Sequence, residues 1–599
     1  MSPNAIVTIL ILATAVVALI AGRWRPDLVA LGVVLALAIG GVVPANQAFS
    51  GFGTPTVAAV AAVFVVSAGL ERTGAAALVA RRLRRLATGS PVVLLASLMV
   101  ATGVLSGFMN NLAAAAMLLP VTVALAARSR LSPTLLLLPM AYAARFGGNL
   151  TLIAGPSNLL MAEILHRRGI ADLRLFDFLP LGLPMLLVGT AWICLAGRRL
   201  LPAHLPEDLL RATRRRTRLV NIYRLSERLF EARIPAGSPL AGRSIEQSEF
   251  GRAFGITIVA VVRDGLQLQR PPKDLVLQGG DRLVVEGRLD ELLQAEALER
   301  LGLELSRDAE ISLDSPETGI VEAIVSPRSS HVGRTLRDLN FRYRYGITVL
   351  ALWRENRPIR TRLAELPLQV GDGLLLQGAW KAIKALRDEP DFIVLEEEFP
   401  GEMREERRGP ALVALGVMIA LTLVGVPVAV ATVLAAGIIV TSGGLTVDEV
   451  YRLVDWRSIV LLGGMIPLGT ALETTGAARV LALAVSNAAA GGPLLALVVL
   501  LATAVAIGHF VPSILLPVVL GPVAINLAGA LGVSAVPFAM AIIAATGMTI
   551  LTPFSNPVML MVMAPGGYSI RDYVRVGLPL VGILFALMLL IIPVAYPFR

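Results

Sequence analysis

Apolar positions along this chain fall into two series of long runs, separated by a stretch of about two hundred residues in which apolar and polar positions alternate. In the first series the runs are 4–21, 28–44, 54–70, 89–105, 109–127, 132–143, 149–164 and 178–197. In the second they are 410–425, 427–443, 457–472, 491–508, 511–530, 535–547, 550–564 and 574–597. A helix crosses the hydrocarbon core of a bilayer with about 20 apolar residues, so the pattern predicts a polytopic, all-α membrane part in two halves. The N-terminal run lacks a basic leader and a small-residue cleavage site, and reads as a retained span.

Two runs are interrupted by residues that a lipid-crossing helix avoids. GGNLTLIAGPSNLLM at 147–161 contains glycines, Pro156, Ser157 and Asn158. TGMTILTPFSNPVMLM at 546–561 repeats the pattern, with Thr549 followed by Ser555 and Asn556 as Thr151 is followed by Ser157 and Asn158. Non-helical backbone at membrane depth survives only inside protein or beside a polar cavity, and broken helices build the midplane sites of secondary transporters. The halves match elsewhere too. SAGLERTGA at 67–75 parallels GTALETTGA at 469–477, and Asp177 and Gly182 parallel Asp572 and Gly577. The match leaves open whether the halves are inverted; an odd number of crossings per half, with one element re-entrant, would invert them.

The middle carries its own tandem repeat. Gly242, Gly255, Arg263, Gly280, Asp281 and Gly287 recur 91 positions later as Gly333, Gly346, Arg354, Gly371, Asp372 and Gly378. ITIVAVVRDGLQLQ and ITVLALWRENRPIR predict strand pairs joined at Asp-Gly (264–265) and Glu-Asn (355–356). GGDRLVVEG and VGDGLLLQG predict a turn and a buried strand. RSIEQSEF and RTLRDLNF predict one short helix each, and DELLQAEAL (290–298) and WKAIKALRD a second. The expected organisation is a first membrane repeat at 1–200, a juxtamembrane linker at 201–227, small α+β domains at 228–300 and 315–395, and a second membrane repeat at 409–599.

Composition narrows the function. Of 599 residues, 55% are hydrophobic and only 16% charged, too few charges for a soluble protein of this length. The net charge of +10 reads as the inner-side arginine bias of membrane proteins, with clusters at 81–85 and 211–218; the latter also suits anionic lipid heads. Without aromatic platforms beside the basic residues, nucleic-acid binding is not expected. One cysteine, Cys194, and four scattered histidines exclude an internal disulfide and argue against a resident metal site. No Walker A motif or G-x-G-x-x-G unit supports a motor or nucleotide site. No nucleophile, base and orienting group converge, so an enzyme is not expected and no cofactor is implied.

Candidate chemistry sits where polar residues interrupt apolar segments. Asn110 and Asn111 precede a run of alanines; they bind a cation through the amide carbonyl or an oxyanion through the NH2, or cap a helix. Asn149, Thr151, Ser157 and Asn158 offer oxygens beside freed backbone carbonyls, which suits sodium, while a restarted half-helix suits an anion at its N-terminus. Thr549, Thr552, Ser555 and Asn556 are their counterparts. His509 and Ser513 lie in AIGHFVPSILLP at 506–517; His509 reads as a proton carrier, an anion donor or a packing residue. The paired Glu71 and Glu473 follow apolar runs and read as helix-end residues. Half-helix dipoles are expected to offset the substrate's charge without a buried arginine.

With these residues in view, the membrane halves resemble the divalent anion/sodium symporter family, within the superfamily of citrate-transporter-like permeases. The middle resembles two TrkA C-terminal domains, ligand-sensing modules also found with potassium transport proteins. The resemblance covers nearly the whole chain and implies two inverted repeats, re-entrant hairpins and a dimeric, elevator-like bacterial inner-membrane protein with its central domains cytoplasmic. The family's Ser-Asn-Thr signatures fall at Met109-Asn110-Asn111-Leu112, where asparagine alone is kept, and near Gly508-His509-Phe510, where the signature is absent. The implied function is secondary transport of a small anion, sulfate-like or dicarboxylate, with sodium or a proton as coupling ion and a small regulatory ligand on the central domains. Alternatives are a cation/proton or arsenite-type exporter of the same superfamily and a ligand-gated, channel-like sensor.

Overall fold

The computed structural model describes residues 2–21, 24–74, 90–129, 131–202, 404–488, 492–553 and 556–599 of the two helical halves. In the middle it describes 229–235, 237–248, 257–263, 266–269, 274–286, 304–306, 318–326, 329–354, 357–359, 363–387 and 389–395. The arginine clusters at 81–85 and 211–218, the rest of the linker beyond residue 202, Gly255 and Gly287, the turns at 264–265 and 355–356, the helix expected at 290–298 and Ser555 lie outside these residues. The chain divides into two compact units. One is Met1–Leu210 together with Met403–Arg599, and the other is Arg211–Glu402.

In chain order the helical unit begins with α1 (Pro3–Ala21), α2 (Pro26–Ile39), α3 (Pro55–Arg72), α4 (Pro91–Ser106), α5 (Asn111–Arg128), α6 (Thr134–Gly147), α7 (Pro156–Arg167) and α8 (Leu179–Leu195). The middle unit supplies strands β1 (Leu229–Arg233), β2 (Thr257–Arg263), β3 (Leu266–Gln269), β4 (Arg282–Glu286), β5 (Glu304–Ser306) and β6 (Thr318–Val325). It continues with α9 (Phe341–Tyr345), β7 (Ile347–Arg354), β8 (Arg357–Ile359), β9 (Gly373–Ala379), α10 (Trp380–Arg387) and β10 (Phe392–Val394). The helical unit resumes with α11 (Arg408–Leu423), α12 (Val428–Thr441), α13 (Val447–Leu453), α14 (Trp456–Thr474) and α15 (Ala477–Ala488). It ends with α16 (Pro493–Gly508), α17 (Leu515–Leu531), α18 (Val536–Met548), α19 (Pro557–Gly566) and α20 (Ile570–Ala595). The fold is mostly helical and membrane-associated, with short β-sheet subdomains in the middle.

Among the described residues α1, α3 and α20 are long and apolar enough to cross a membrane, and α14 with α15, bent by 71°, adds a fourth if the pair is one broken span. The other apolar helices run 10–17 residues; at 1.5 Å per residue the shortest rise about 15 Å, half of a ~30 Å hydrocarbon core. Two expected runs are corrected by proline. The run 149–164 is helical only from Pro156 and the run 550–564 only from Pro557. A proline ring disfavours helical backbone in the residue before it. Gly155 (φ −146°, ψ 145°) and Asn556 (φ −153°, ψ 135°) are accordingly extended.

The helices that lead into these interruptions are buried on every side. Every residue of α6 except the half-buried Leu135, and every residue of α18 from Pro537 to Met548, is buried, as expected of helices apolar all round. Helix α6 packs against α4, α5, α8 and α19, and α18 against α16, α17 and α20. Burial of a backbone break demands partners for its polar groups, and Tyr568 supplies some in α6. Its hydroxyl accepts the Leu138 N–H at 3.0 Å and donates to the Thr134 carbonyl, taking over one rung of the helix next to Pro139.

The middle unit contains two antiparallel five-stranded sheets, in the orders β3-β2-β4-β1-β5 and β10-β6-β9-β7-β8. The second, read backwards, is the first with each strand replaced by its repeat. A register shift between Ile258 and Ala260 in β2 recurs between Val349 and Ala351 in β7. Gly280 (φ 96°) and Gly371 (φ 84°) take the left-handed turn before the central strands, a conformation that glycine adopts at no steric cost. Arg263 grips Asp281 with two bonds of 2.8 and 2.7 Å, and Arg354 grips Asp372 with 2.8 and 2.6 Å. Burial would raise the Asp281 carboxyl, but bonds from Arg263 and from the Gln278 N–H hold it below its ordinary value.

The expected helix in RTLRDLNF is a correction. Thr335 bridges to Pro367, the segment turns, and the helix forms afterwards at Phe341–Tyr345. The Thr335 N–H donates to Asp338 Oδ2 at 3.0 Å and the Asp338 N–H to Thr335 Oγ1 at 3.1 Å; such local side-chain bonds compete with a helix ladder. Ser244 and Gln247 exchange the same bonds in the described part of RSIEQSEF, and Ser244 bridges to Val276.

Candidate functional site

The first interruption is held open by its own polar side chains. Asn158 Nδ2 donates to the carbonyls of Gly148 and Thr151, at 2.8 Å each, from the first turn of α7. Thr151 Oγ1 donates to the Gly107 carbonyl at the end of α4. Asn149 reaches into the second half, donating from Nδ2 to the Ile543 carbonyl at 3.0 Å and accepting from Thr546 Oγ1 at 3.2 Å. Glycine at 148 is required by a neighbour, because a Cβ there would overlap the Asn111 amide. Asn111 Oδ1 and the Ala144 carbonyl each lie 2.8 Å from Ser106 Oγ. Asn110 Oδ1 accepts the Leu112 N–H at 2.8 Å, a cap at the start of α5, while its own N–H donates to Ser67 Oγ at 2.9 Å.

The second interruption is built differently. Asn556 Oδ1 accepts the Val558 N–H at 2.8 Å and caps α19. Thr552 Oγ1 donates to the His509 carbonyl at 2.7 Å. Thr549 Oγ1 lies 2.9 Å from the Thr546 carbonyl. Ser157 Oγ donates to the Ser513 carbonyl at 3.2 Å, joining α7 to the loop before α17.

These segments surround one cavity of about 640 Å³, within the ~300–1,000 Å³ of small-molecule sites. Its wall includes Asn110, Asn111, Asn149, Ser157, Asn158, Ser513 and Asn556. The starts of four helices, α5, α7, α17 and α19, contribute to it. Peptide N–H groups at helix starts carry partial positive charge and favour anions. Asp455, Arg457 and Ser458, at the start of α14, also line it.

Sequence reasoning missed the cavity's buried cation. Arg145, in the last turn of α6, is 5% exposed and lines the cavity. Its Nη2, with two hydrogens, faces three acceptors: Ser513 Oγ at 3.1 Å, the Thr546 carbonyl and Thr549 Oγ1. Among the described residues no carboxylate pairs with it, and its Nε has no hydrogen-bond partner. The expectation of a site without a buried arginine is therefore overturned. The signal was present: an arginine between an apolar run and a glycine pair is a functional candidate by default, but here it counted only as the separator, with two glycines, of the short runs 132–143 and 149–164. Thr546, which stands in the same polar stretch as Thr549 and Thr552, supplies a carbonyl to Arg145 and a hydroxyl to Asn149.

Four expected residues are not brought into the wall. Thr151, Thr549 and Thr552 lie behind it, each bonded to backbone or to Arg145 as described. His509 is buried beyond it, with Nδ1 2.6 Å from the Val505 carbonyl of its own helix, so the structure does not seat its imidazole beside a solute in the cavity. Ser555 is not among the described residues.

Comparison with known proteins places this architecture. A family model described as "Citrate transporter" matches residues 16–542. The chain is 31% identical over 98% of its length to the uncharacterized transporter YfbS of Escherichia coli strain K12, covering 98% of that protein. It is 30% identical over 94% of its length to the uncharacterized transporter sll0640 of Synechocystis, covering 92% of it. Sodium/sulfate cotransporter 1 of Chlamydomonas reinhardtii is 27% identical over 56% of this chain and 39% of its own length. With its broken helices, polar-lined cavity and family match spanning most of its length, the chain belongs to the citrate transporter family and acts in secondary transport of an anion across a membrane.

Proposed function

We propose that this chain couples the movement of a small oxyanion, sulfate-like or a dicarboxylate, to sodium. The observation that carries the reading is the cavity in which four helix starts and the Arg145 guanidinium converge. All of these favour negative charge, and no carboxylate pairs with the guanidinium among the described residues. The likeness to a protein named as a sodium/sulfate cotransporter supports both the anion and the coupling ion. Asn111, Ser157 and Asn158 line a sodium site at the first interruption, beside the Gly148 and Thr151 carbonyls. Asn556 and Ser513 face the solute, and Thr549, Thr552 and Ser555 belong to the second interruption.

The reading takes the two matching halves as inverted repeats with re-entrant hairpins formed by α4–α5 and α16–α17, and includes an elevator-type movement of the part that carries both interruptions. The 91-residue repeat of the sheets supports a pair of TrkA C-terminal-like domains that take a small regulatory ligand. A homodimer in a bacterial inner membrane, with those domains on the cytoplasmic side, completes the reading.

The test is uptake of labelled sulfate, succinate and arsenite by the full chain in proteoliposomes, with and without an inward sodium gradient. Saturable uptake of one oxyanion that rises with the gradient is the expected result. Uptake that does not saturate, or transport confined to arsenite and indifferent to sodium, would overturn it. Asn158→Ala and Asn556→Ala are each expected to lower uptake at least tenfold; unchanged rates in both would move the site elsewhere.

A further inference from the structure

Arg145 stands where a bound cation would otherwise be expected. Helices α6 and α18 are both interrupted inside the protein, and each ends in a turn of carbonyls with partial negative charge. Arg145 is in the last turn of α6, Thr546 in the last turn of α18, and Thr549 caps α18. The carbonyl of Thr546 and the hydroxyls of Thr549 and Ser513 all meet one atom, Arg145 Nη2. A carbonyl and two hydroxyls, drawn from the end of a half-helix and a neighbouring loop, form an oxygen set suited to a hard monovalent cation.

We infer that Arg145 is a resident cation, occupying through its guanidinium a site that would otherwise bind a sodium ion at the second interruption. This rests on the sodium-coupled reading above and deepens it, by assigning one of the two symmetry-suggested ion positions to the protein itself. A guanidinium keeps its charge at all physiological pH values, and it fills the space among these oxygens. A sodium ion is excluded from the position by volume and by like charge. The positive charge stays with the protein through every cycle, so it contributes to anion binding but carries no energy from the gradient. Sodium coupling then depends on the first interruption, where Asn158 braces two carbonyls and no cationic side chain bonds to them among the described residues.

The choice of arginine fits the local geometry. Its side chain extends from α6 to oxygens of α18 and the loop before α17. Asn149, four positions further along, ties the same two elements with a neutral amide, through Ile543 and Thr546. The charge of Arg145 is therefore not needed simply to hold the two helices together.

The experiment counts 22Na+ bound to the purified full chain at saturation, with choline as the competing salt, for wild type, Arg145→Ala, Arg145→Gln and Arg145→Lys. The expected result is one additional sodium ion per chain in Arg145→Ala and Arg145→Gln, and none in Arg145→Lys, whose ammonium keeps the charge. Sodium should also raise the unfolding midpoint of the two neutral variants more steeply than that of wild type. Equal sodium counts in wild type and both neutral variants would overturn the proposal. Should the neutral variants fail to fold, Thr549→Val with Arg145 intact decides it. A sodium count equal to wild type is expected, and loss of one ion would show that sodium, and not the guanidinium, uses these oxygens. Absence of sulfate and succinate uptake by wild type would sink the transport reading alone, leaving the sodium counts fully readable.

Discussion

Thr546 donates its hydroxyl to Asn149 Oδ1 at 3.2 Å, joining two interrupted helices that lie 397 positions apart in the chain. Asn149 also donates to the Ile543 carbonyl at 3.0 Å, so one amide braces the end of α18 through both of its polar atoms. The ends of α6 and α18 are held as a pair, and Arg145 is added beside them.

That brace is measurable. Asn149→Ala and Thr546→Ala should each lower the unfolding midpoint, and the double variant should lose less than the sum. The coupling is expected at about 0.5–1.5 kcal/mol, the range of interhelical polar contacts in membranes. A thermal-unfolding cycle in detergent checks it, and strict additivity would show that the two residues act separately.

Asn158 is the clasp of the first interruption. Asn158→Asp should be worse than Asn158→Ala, because it points carboxylate oxygens at two carbonyls that now accept hydrogen bonds. A loss of about 2 kcal/mol in stability is expected for the alanine variant, the scale of two buried hydrogen bonds. Thermal unfolding of both variants at neutral pH checks the order.

Gly182 of α8 lies flat against the backbone of Asn149 and Leu150, where an added Cβ would overlap both. Gly182→Ala should displace the first interruption without removing any polar group. A drop in uptake of tenfold or more, with sodium affinity weakened alongside, is expected. Uptake kinetics at varied sodium provide the check.

In the first sheet the Asp281 carboxyl sits below its ordinary value because of the bonds from Arg263 and the Gln278 N–H, which outweigh burial. A carboxyl lowered by folding stabilises fully above its unfolded value, near ~3.9, and loses that contribution as pH falls through the folded value. Strands β2 and β4 of the full chain should therefore become protease-sensitive as pH drops below about 4. Asp281→Asn should make them sensitive already at pH 7, at a cost of about 1–3 kcal/mol. Limited proteolysis across the pH range, followed by peptide mapping, measures both.

Much of the helical layout was legible because its causes are local. Pro156 and Pro557 follow extended residues, and the asparagines close to them, Asn158 and Asn556, have the short amides that reach nearby backbone. The strand pairs of the middle were legible for a similar reason: Arg263 and Asp281 recur as Arg354 and Asp372, and close the same loop in each sheet. The helix expected in RTLRDLNF was misread because Thr335 and Asp338 satisfy each other's backbone, a competition that hydrophobic spacing does not register. His509 was expected beside the solute because it is polar within an apolar run. Its ring instead turns back to the carbonyl four residues earlier, and its backbone carbonyl, not its imidazole, receives Thr552.

By itself, the sequence marked the two stretches where the membrane chain is interrupted, since glycine and polar residues beside a proline act on the backbone within a residue or two. It also determined that the middle is two copies of one sheet, because a constant 91-residue spacing of turn glycines and ion-pair partners admits little else. Only the tertiary structure decided which groups surround Arg145. A buried guanidinium needs several acceptors at once, and this one draws them from Ser513, Thr546 and Thr549, 368 to 404 positions away. No local rule reaches that far, because only packing brings the last turns of α6 and α18 together.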